Sequence, residues 1–154
     1  MKAGVFLSKN YSRTLVLIKR EHTMIEHSRK YRRIANKLIK ILPEFEHIKV
    51  YDIKIAYAAS QEEKTKSGGR KVLGRCKKVD KEYKWLLPYD FIIFIYEPNI
   101  IELSEKQIEI LVYHELRHVG VKEDGKEPSF FVVPHDIEDF KDILQEHGLD
   151  WSGD

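Results

Sequence analysis

One cysteine, Cys76, is all that the chain contains. A lone thiol closes no intrachain disulfide, so a disulfide-stapled secreted scaffold is excluded and a reducing compartment is expected. Long apolar runs are missing too: none approaches the roughly 18 residues that a membrane span needs. The apolar stretch after Lys2 ends at Leu7, too short for a signal-peptide core. A cytoplasmic protein is the expectation. Neither sign of charge dominates, because 27 basic and 25 acidic residues leave a formal net charge of +2, which gives no global bias towards polyanions. Internal repeats and low-complexity segments are also absent. What is present, 154 residues of which 42% are hydrophobic and 11% aromatic, suits a single domain, 1–154, with a sizeable core.

The charges are unevenly spread. Basic residues gather at 29–40 and again at 64–84, whereas the chain beyond Lys122 is acidic, with Asp136, Glu138, Asp142 and Glu146 among others. Such a division could steer a nucleic acid or an acidic partner to one side of the molecule. It is equally the pattern of a solvated surface.

Periodicity gives the elements. Short apolar runs at 5–7 and 14–18 read as strands. Over 22–42, Ile25, Tyr31, Ile34, Leu38, Ile41 and Leu42 recur at helical spacing with basic side chains opposite, which predicts an amphipathic helix stopped by Pro43. Residues 48–57 read as a strand, and 61–69 as a polar loop ending in Gly68-Gly69. Residues 71–79 form a basic strand near an edge, with Cys76 half-buried, and the loop and strand together resemble an exposed hairpin. The run from Asp90 to Tyr96 is the strongest strand, apolar on both faces. Ser104 and Gln107 make a capping box, with Leu103 and Ile108 as a hydrophobic staple and Gly120 as the residue ending that helix. Ile137, Phe140, Ile143 and Leu144 then carry a last helix to Gly148, with Asp136 as its N-cap.

Inside the capped helix lies His114-Glu115-Leu116-Arg117-His118. Residues i and i+4 share a helix face, so both imidazoles can offer a nitrogen to one ion, and zinc accepts such nitrogens at about 2.0–2.1 Å. Glu115 is rotated by about 100° from His114 at 3.6 residues per turn, beside the ion without being its obvious ligand. A general base belongs there, next to a water whose pKa the metal lowers. A catalytic zinc needs a third protein ligand. His135, after an apolar stretch and at the start of the last helix, is the best candidate. Glu127, Glu138 and Asp139 compete, with Glu138 the runner-up. Tyr89, Tyr96 and Tyr113 could donate to an oxyanion. Arg117 reads as exposed or paired with an acid, and His22, His27, His47 and His147 as surface histidines.

The order of strand, basic hairpin, Asp90 to Ile95, Leu103-Ser104 helix start, Tyr113 to His118 and Pro134-His135-Asp136 resembles the phage metallopeptidase family, small zincins akin to SprT-like proteases. The resemblance runs from about Ile48 to Gly148. It implies an α+β, zincin-like fold in which a small antiparallel or mixed sheet packs against the motif helix and two further helices. It also implies zinc held by His114, His118 and His135, with Glu115 as base and protein or peptide substrates. In a zincin-like arrangement the strand from Asp90 to Tyr96 would be a candidate edge for pairing with an extended peptide. Two other readings stay open: a nucleic-acid-associated protein using 29–40 and 64–84, and a non-catalytic module in which a fourth protein ligand closes a zinc site.

Overall fold

The apolar run after Asp90 has little polar alternation, so a strand made from it must be covered on both faces. In the computed structural model, which describes residues 24–150 except Lys126 and Asp139, it forms β4 (Phe91–Tyr96). With β1 (Ile25–His27), β2 (Ile55–Ser60) and β3 (Gly74–Lys78) it makes a mixed sheet of order β1-β2-β4-β3. β2 runs parallel to β4, with Ile55 opposite Phe91 and Ser60 opposite Tyr96, and the other pairs are antiparallel. Phe91, Ile93 and Ile95 have no exposed surface and join the core cluster that the helices share. β4 is therefore interior, which corrects the reading of 90–96 as an edge. The outer strand on that side is β3, the basic strand that the sequence placed near an edge. The strands expected at 5–7 and 14–18, together with His22 and Asp139, lie outside the described residues.

The helix expected over 22–42 starts later, as α1 (Arg29–Ile41). Ser28 caps it by accepting from the Tyr31 amide at 3.2 Å, while its own amide donates to the Tyr57 carbonyl at 2.8 Å. That second bond draws Ile25–His27 into the sheet, where a strand of three residues is too short to display a period of two. Tyr31, Ala35, Leu38 and Ile39 form its buried stripe. Pro43 ends the helix as expected and opens a 3-10 turn leading to α2 (Glu46–Val50).

The strand expected over 48–57 is corrected as well. Phe45 and Ile48, three residues apart, bury on one helical face. Asp52 turns the chain with φ +49, and the Ile53 amide returns to the Ile48 carbonyl at 2.9 Å before β2 begins. Apolar residues from a helix and a strand had merged into one run.

The capped helix forms as the sequence predicts. α3 (Glu105–Arg117) has both halves of the capping box: the Gln107 amide donates to Ser104 Oγ at 3.2 Å, and the Ser104 amide to Gln107 Oε1 at 2.8 Å. Ile108, Leu111, Val112 and Leu116 are its buried apolar residues. Gly120 does not end it. His118 is the C-cap, and the chain passes at once into β5 (Val119–Lys122), which pairs antiparallel with β6 (Ser129–Val132). Gly120 lies within β5 and is small for packing, since a Cβ there would stand 2.6 Å from Val133 Cγ2 and 2.9 Å from the Phe131 ring. The last helix, α4 (Lys141–His147), starts five residues beyond Asp136, with Phe140 at its N-cap and no fully buried residue. Among the described residues, no helix is long and apolar enough to cross a membrane.

Removing the cap oxygen leaves one first-turn amide of α3 unbonded. Ser104→Ala should lower stability by about 0.5–2 kcal/mol, read as a shifted urea midpoint with an unchanged slope.

Candidate metal centre

The rotation of successive residues sorts the motif between solvent and core. His114 is exposed and His118 half-buried, whereas Glu115, about 100° round the helix, is 3% exposed. His114 Nε2 lies 3.3 Å from His118 Nε2 and 3.0 Å from His135 Nε2, and the ligand atoms of all three fall within 4.8 Å of one another. Nitrogens bound tetrahedrally at the usual zinc distance stand about 3.3 Å apart, so the spacing fits one ion.

The protonation pattern fits as well. A carbonyl cannot donate, so His118 must carry its proton on Nδ1, which meets the Val133 carbonyl at 2.5 Å. Its Nε2 is left with a lone pair turned to the cluster. Burial holds the His114 pKa below its ordinary value, helped by His118, His135 and Lys66, which favours the neutral ring that a cation requires.

His135 reaches the cluster because β6 returns beside β5. The Val133 amide donates to the His118 carbonyl at 2.8 Å, reciprocating the ring's bond to the Val133 carbonyl. The sequence put His135 at a helix start; it stands instead in the extended segment after β6, ahead of α4. Glu138 takes a different position from the one expected. Its carboxylate lies 3.4 Å from His135 Nδ1, behind the ring and on the side away from the Nε2 that meets His114. Glu127 is exposed in the β5–β6 connection and joins no cluster.

Glu115 faces the outer edge of β3. The Cys76 amide donates to its carboxylate, and burial pushes its pKa up to about 7 while that amide and Lys66 pull the other way. Gly74 makes the room: a Cβ there would sit 2.7 Å from Glu115 Oε1. This glycine was not singled out in the sequence, where only its break in the 71–79 alternation marked it.

The remaining candidates separate. Tyr113 points away, donating to Glu44 Oε1 at 3.0 Å with its ring against Phe45. Tyr89 packs against His27 at 5.8 Å between ring centroids. Tyr96 is the one tyrosine of the three that borders the site, buried and hydrogen-bonded by Arg75. Arg117 is exposed, as expected. His47 is not a surface histidine. It is half-buried, and its Nε2–H donates to the Val119 carbonyl at 2.8 Å, fixing the chain where it leaves the motif.

A cleft of about 750 Å³ opens over the cluster. One wall is α3, through Gln107, Ile110 and Leu111, with Leu103 just ahead of its cap; the other is the arm between β2 and β3. That arm is a built hairpin. Thr65 bridges Lys71, the Lys66 amide donates to the Arg70 carbonyl at 2.8 Å, and Gly68 and Gly69 turn it with φ of +80 and +73. Asn99, another residue that the sequence did not flag, clamps its base by donating to the Lys64 and Val72 carbonyls at 2.8 and 2.7 Å.

The basic stretches divide accordingly. Lys64, Lys66, Arg70, Lys71 and Arg75 line the cleft. Lys84 instead pairs with Asp90, and Lys30 of α1 with Glu105 at 3.2 Å.

Comparison with known proteins adds one match. The family described as putative phage metallopeptidase matches residues 23–153. No curated protein and no solved structure matches the chain.

Cys76 gives a prediction on reactivity. Burial, and next the nearby Glu115 charge, push its thiol up to about 12. The neutral thiol should persist until pH approaches that value, and the thiolate is the reactive form. Iodoacetamide at pH 8 should leave folded protein unlabelled and label it fully after denaturation; rapid labelling of the folded form would contradict the buried thiol.

Proposed function

The chain belongs to the putative phage metallopeptidase family, and from that premise we propose that it is a zinc-dependent endopeptidase with His114, His118 and His135 as ligands and Glu115 as general base. The observation that carries this reading is the convergence of three imidazole nitrogens over a cleft, next in sequence to a buried carboxylate. Zinc bound there would supply Lewis acidity to the scissile carbonyl and to the attacking water.

Everything else falls to the chain's own residues. The three histidines come from the end of one helix and the extended segment after a returning strand, and among the described residues no fourth protein group joins them. This favours an open position for substrate over a closed structural site. Glu115 accepts a proton from the attacking water and returns it to the leaving amine. A carboxyl with a pKa raised by burial to about 7 suits both halves of that transfer. Glu138 holds the His135 ring from behind, and the Val133 carbonyl holds His118. An extended peptide would lie along β3, the outer strand, rather than along β4.

Zinc content and peptide hydrolysis, measured on the same preparations, test the proposal. Glu115→Gln should keep its zinc and lose hydrolysis by about a hundred-fold or more. His135→Ala should lose zinc itself. Equal hydrolysis by the Gln variant, or full zinc content in the Ala variant, would remove Glu115 or His135 from its assigned role.

Gly74→Ala probes the same carboxylate without altering a proposed ligand or base. The added methyl should displace Glu115 from the Cys76 amide, cutting turnover by about ten- to a hundred-fold while zinc content is retained. Unchanged turnover would mean that the observed position of the carboxylate is not needed.

A further inference from the structure

The cleft walls differ in chemistry. On the hairpin side stand Lys64, Lys66, Arg70, Lys71 and Arg75. Lys64 has Glu62 at 3.4 Å, but among the described residues no carboxylate pairs with the other four. Lys66 is near enough for its charge to be felt at both His114 and Glu115. On the facing side, Leu103, Ile110, Leu111 and Val132 are aliphatic, and Ile110 is 54% exposed although it lies on α3. Among the described residues Glu115 is the only acid lining the cleft, and it is buried.

Cations gathered in a cleft with low-dielectric walls focus a positive field and concentrate anionic ligands. The arm cannot easily swing clear to relieve their repulsion, because Asn99 and the Thr65–Lys71 bridge hold its strands together. The anion is better matched by a peptide than by a nucleic acid. Binding of single strands relies on exposed aromatic rings for base stacking, whereas among the described residues Tyr96 is the only Phe, Tyr or Trp lining the cleft and is 5% exposed, and the three imidazoles there face one another as candidate ligands. The facing wall offers an aliphatic surface, which suits an aliphatic side chain.

We propose that the cleft selects acidic peptides, with Asp or Glu side chains against the Lys66–Arg70–Lys71–Arg75 wall and an aliphatic side chain against Ile110 and Leu111. This rests on the peptidase reading and narrows it to a substrate class. The cations act on binding and position, so charge selection appears mainly in KM.

The test uses three fluorescent peptides with the same aliphatic centre and flanks of Glu, Gln or Lys. Their binding to zinc-supplemented Glu115→Gln protein is measured by anisotropy, and their hydrolysis by the unaltered protein is measured separately. The acidic peptide should bind about tenfold tighter than the neutral one, with the gap closing as salt rises. The Arg70→Glu/Lys71→Glu pair should reverse the order of the acidic and basic peptides, and the milder Arg70→Ala/Lys71→Ala pair should narrow the gap. Equal binding of the three peptides, or an order unmoved in both double variants, overturns the proposal. So does a DNA oligonucleotide that displaces the acidic peptide at lower concentration than unlabelled acidic peptide does. The two readings fail separately: hydrolysis without charge preference removes the acidic selectivity and leaves the peptidase. Selective binding without hydrolysis removes the peptidase and leaves the selectivity.

Discussion

A carboxylate that is 3% exposed must be hydrogen-bonded or neutral, and much of the architecture around Glu115 answers that demand. The Cys76 amide can donate to it only if β3 turns that amide away from β4, so β3 has to be the outermost strand. Gly74 must lack a side chain for the carboxylate to lie against the strand. The helix must also dock at one rotation, and Val112 and Leu116, both without exposed surface, fix it there. With that rotation set, His114 has to face solvent, because one residue along a helix is about 100° of turn. Burial of one acid and exposure of its neighbour are a single geometric fact.

The third imidazole depends on a different kind of restraint. His135 lies 21 positions beyond His114, and helical period says nothing about such a partner. The distance is closed by backbone bonds: β5 follows the C-cap without a loop, β6 pairs with it, and Val133 exchanges two hydrogen bonds with His118. Gly120 permits the close approach of Val133 and Phe131, and His47 holds the Val119 carbonyl from the other side. A fault anywhere along this route would move His135 more than it would move His114, whose position follows from α3 alone.

This difference decides what could be read from the sequence. The capping box, the motif helix and the central strand are local patterns, and each forms where the residues indicated. Errors arose where two elements share one apolar run, as at Phe45, Ile48 and Ile53, or where an element is too short for its period, as at Ile25–His27. Gly120 was misread because a glycine after a helix usually ends it, whereas here the requirement for a small residue comes from Val133 across the turn. Gly74, Asn99 and His47 were missed for the same reason. Each acts on a partner distant in sequence, namely Glu115, the base of the basic arm and Val119.

The net charge of +2 is similarly a poor guide to the field in the cleft. Lys84 is neutralised by Asp90 and Lys30 by Glu105, and Lys54 pairs with Asp52. Pairing of this kind removes cations elsewhere from the local balance, whereas among the described residues Lys66, Arg70 and Lys71 of the arm between β2 and β3 have no carboxylate partner. The arm adds no fully buried side chain over residues 61–73. Its order comes from backbone bonds and from Asn99 rather than from a core. Its side chains are therefore free of packing constraints, and four of them, Lys64, Lys66, Arg70 and Lys71, can be basic at little cost to the fold. α3 has no such freedom: its inner face is committed to the core and to Glu115. The proposed chemistry falls to the element whose rotation burial fixes, and the proposed charge recognition to the element that burial does not constrain.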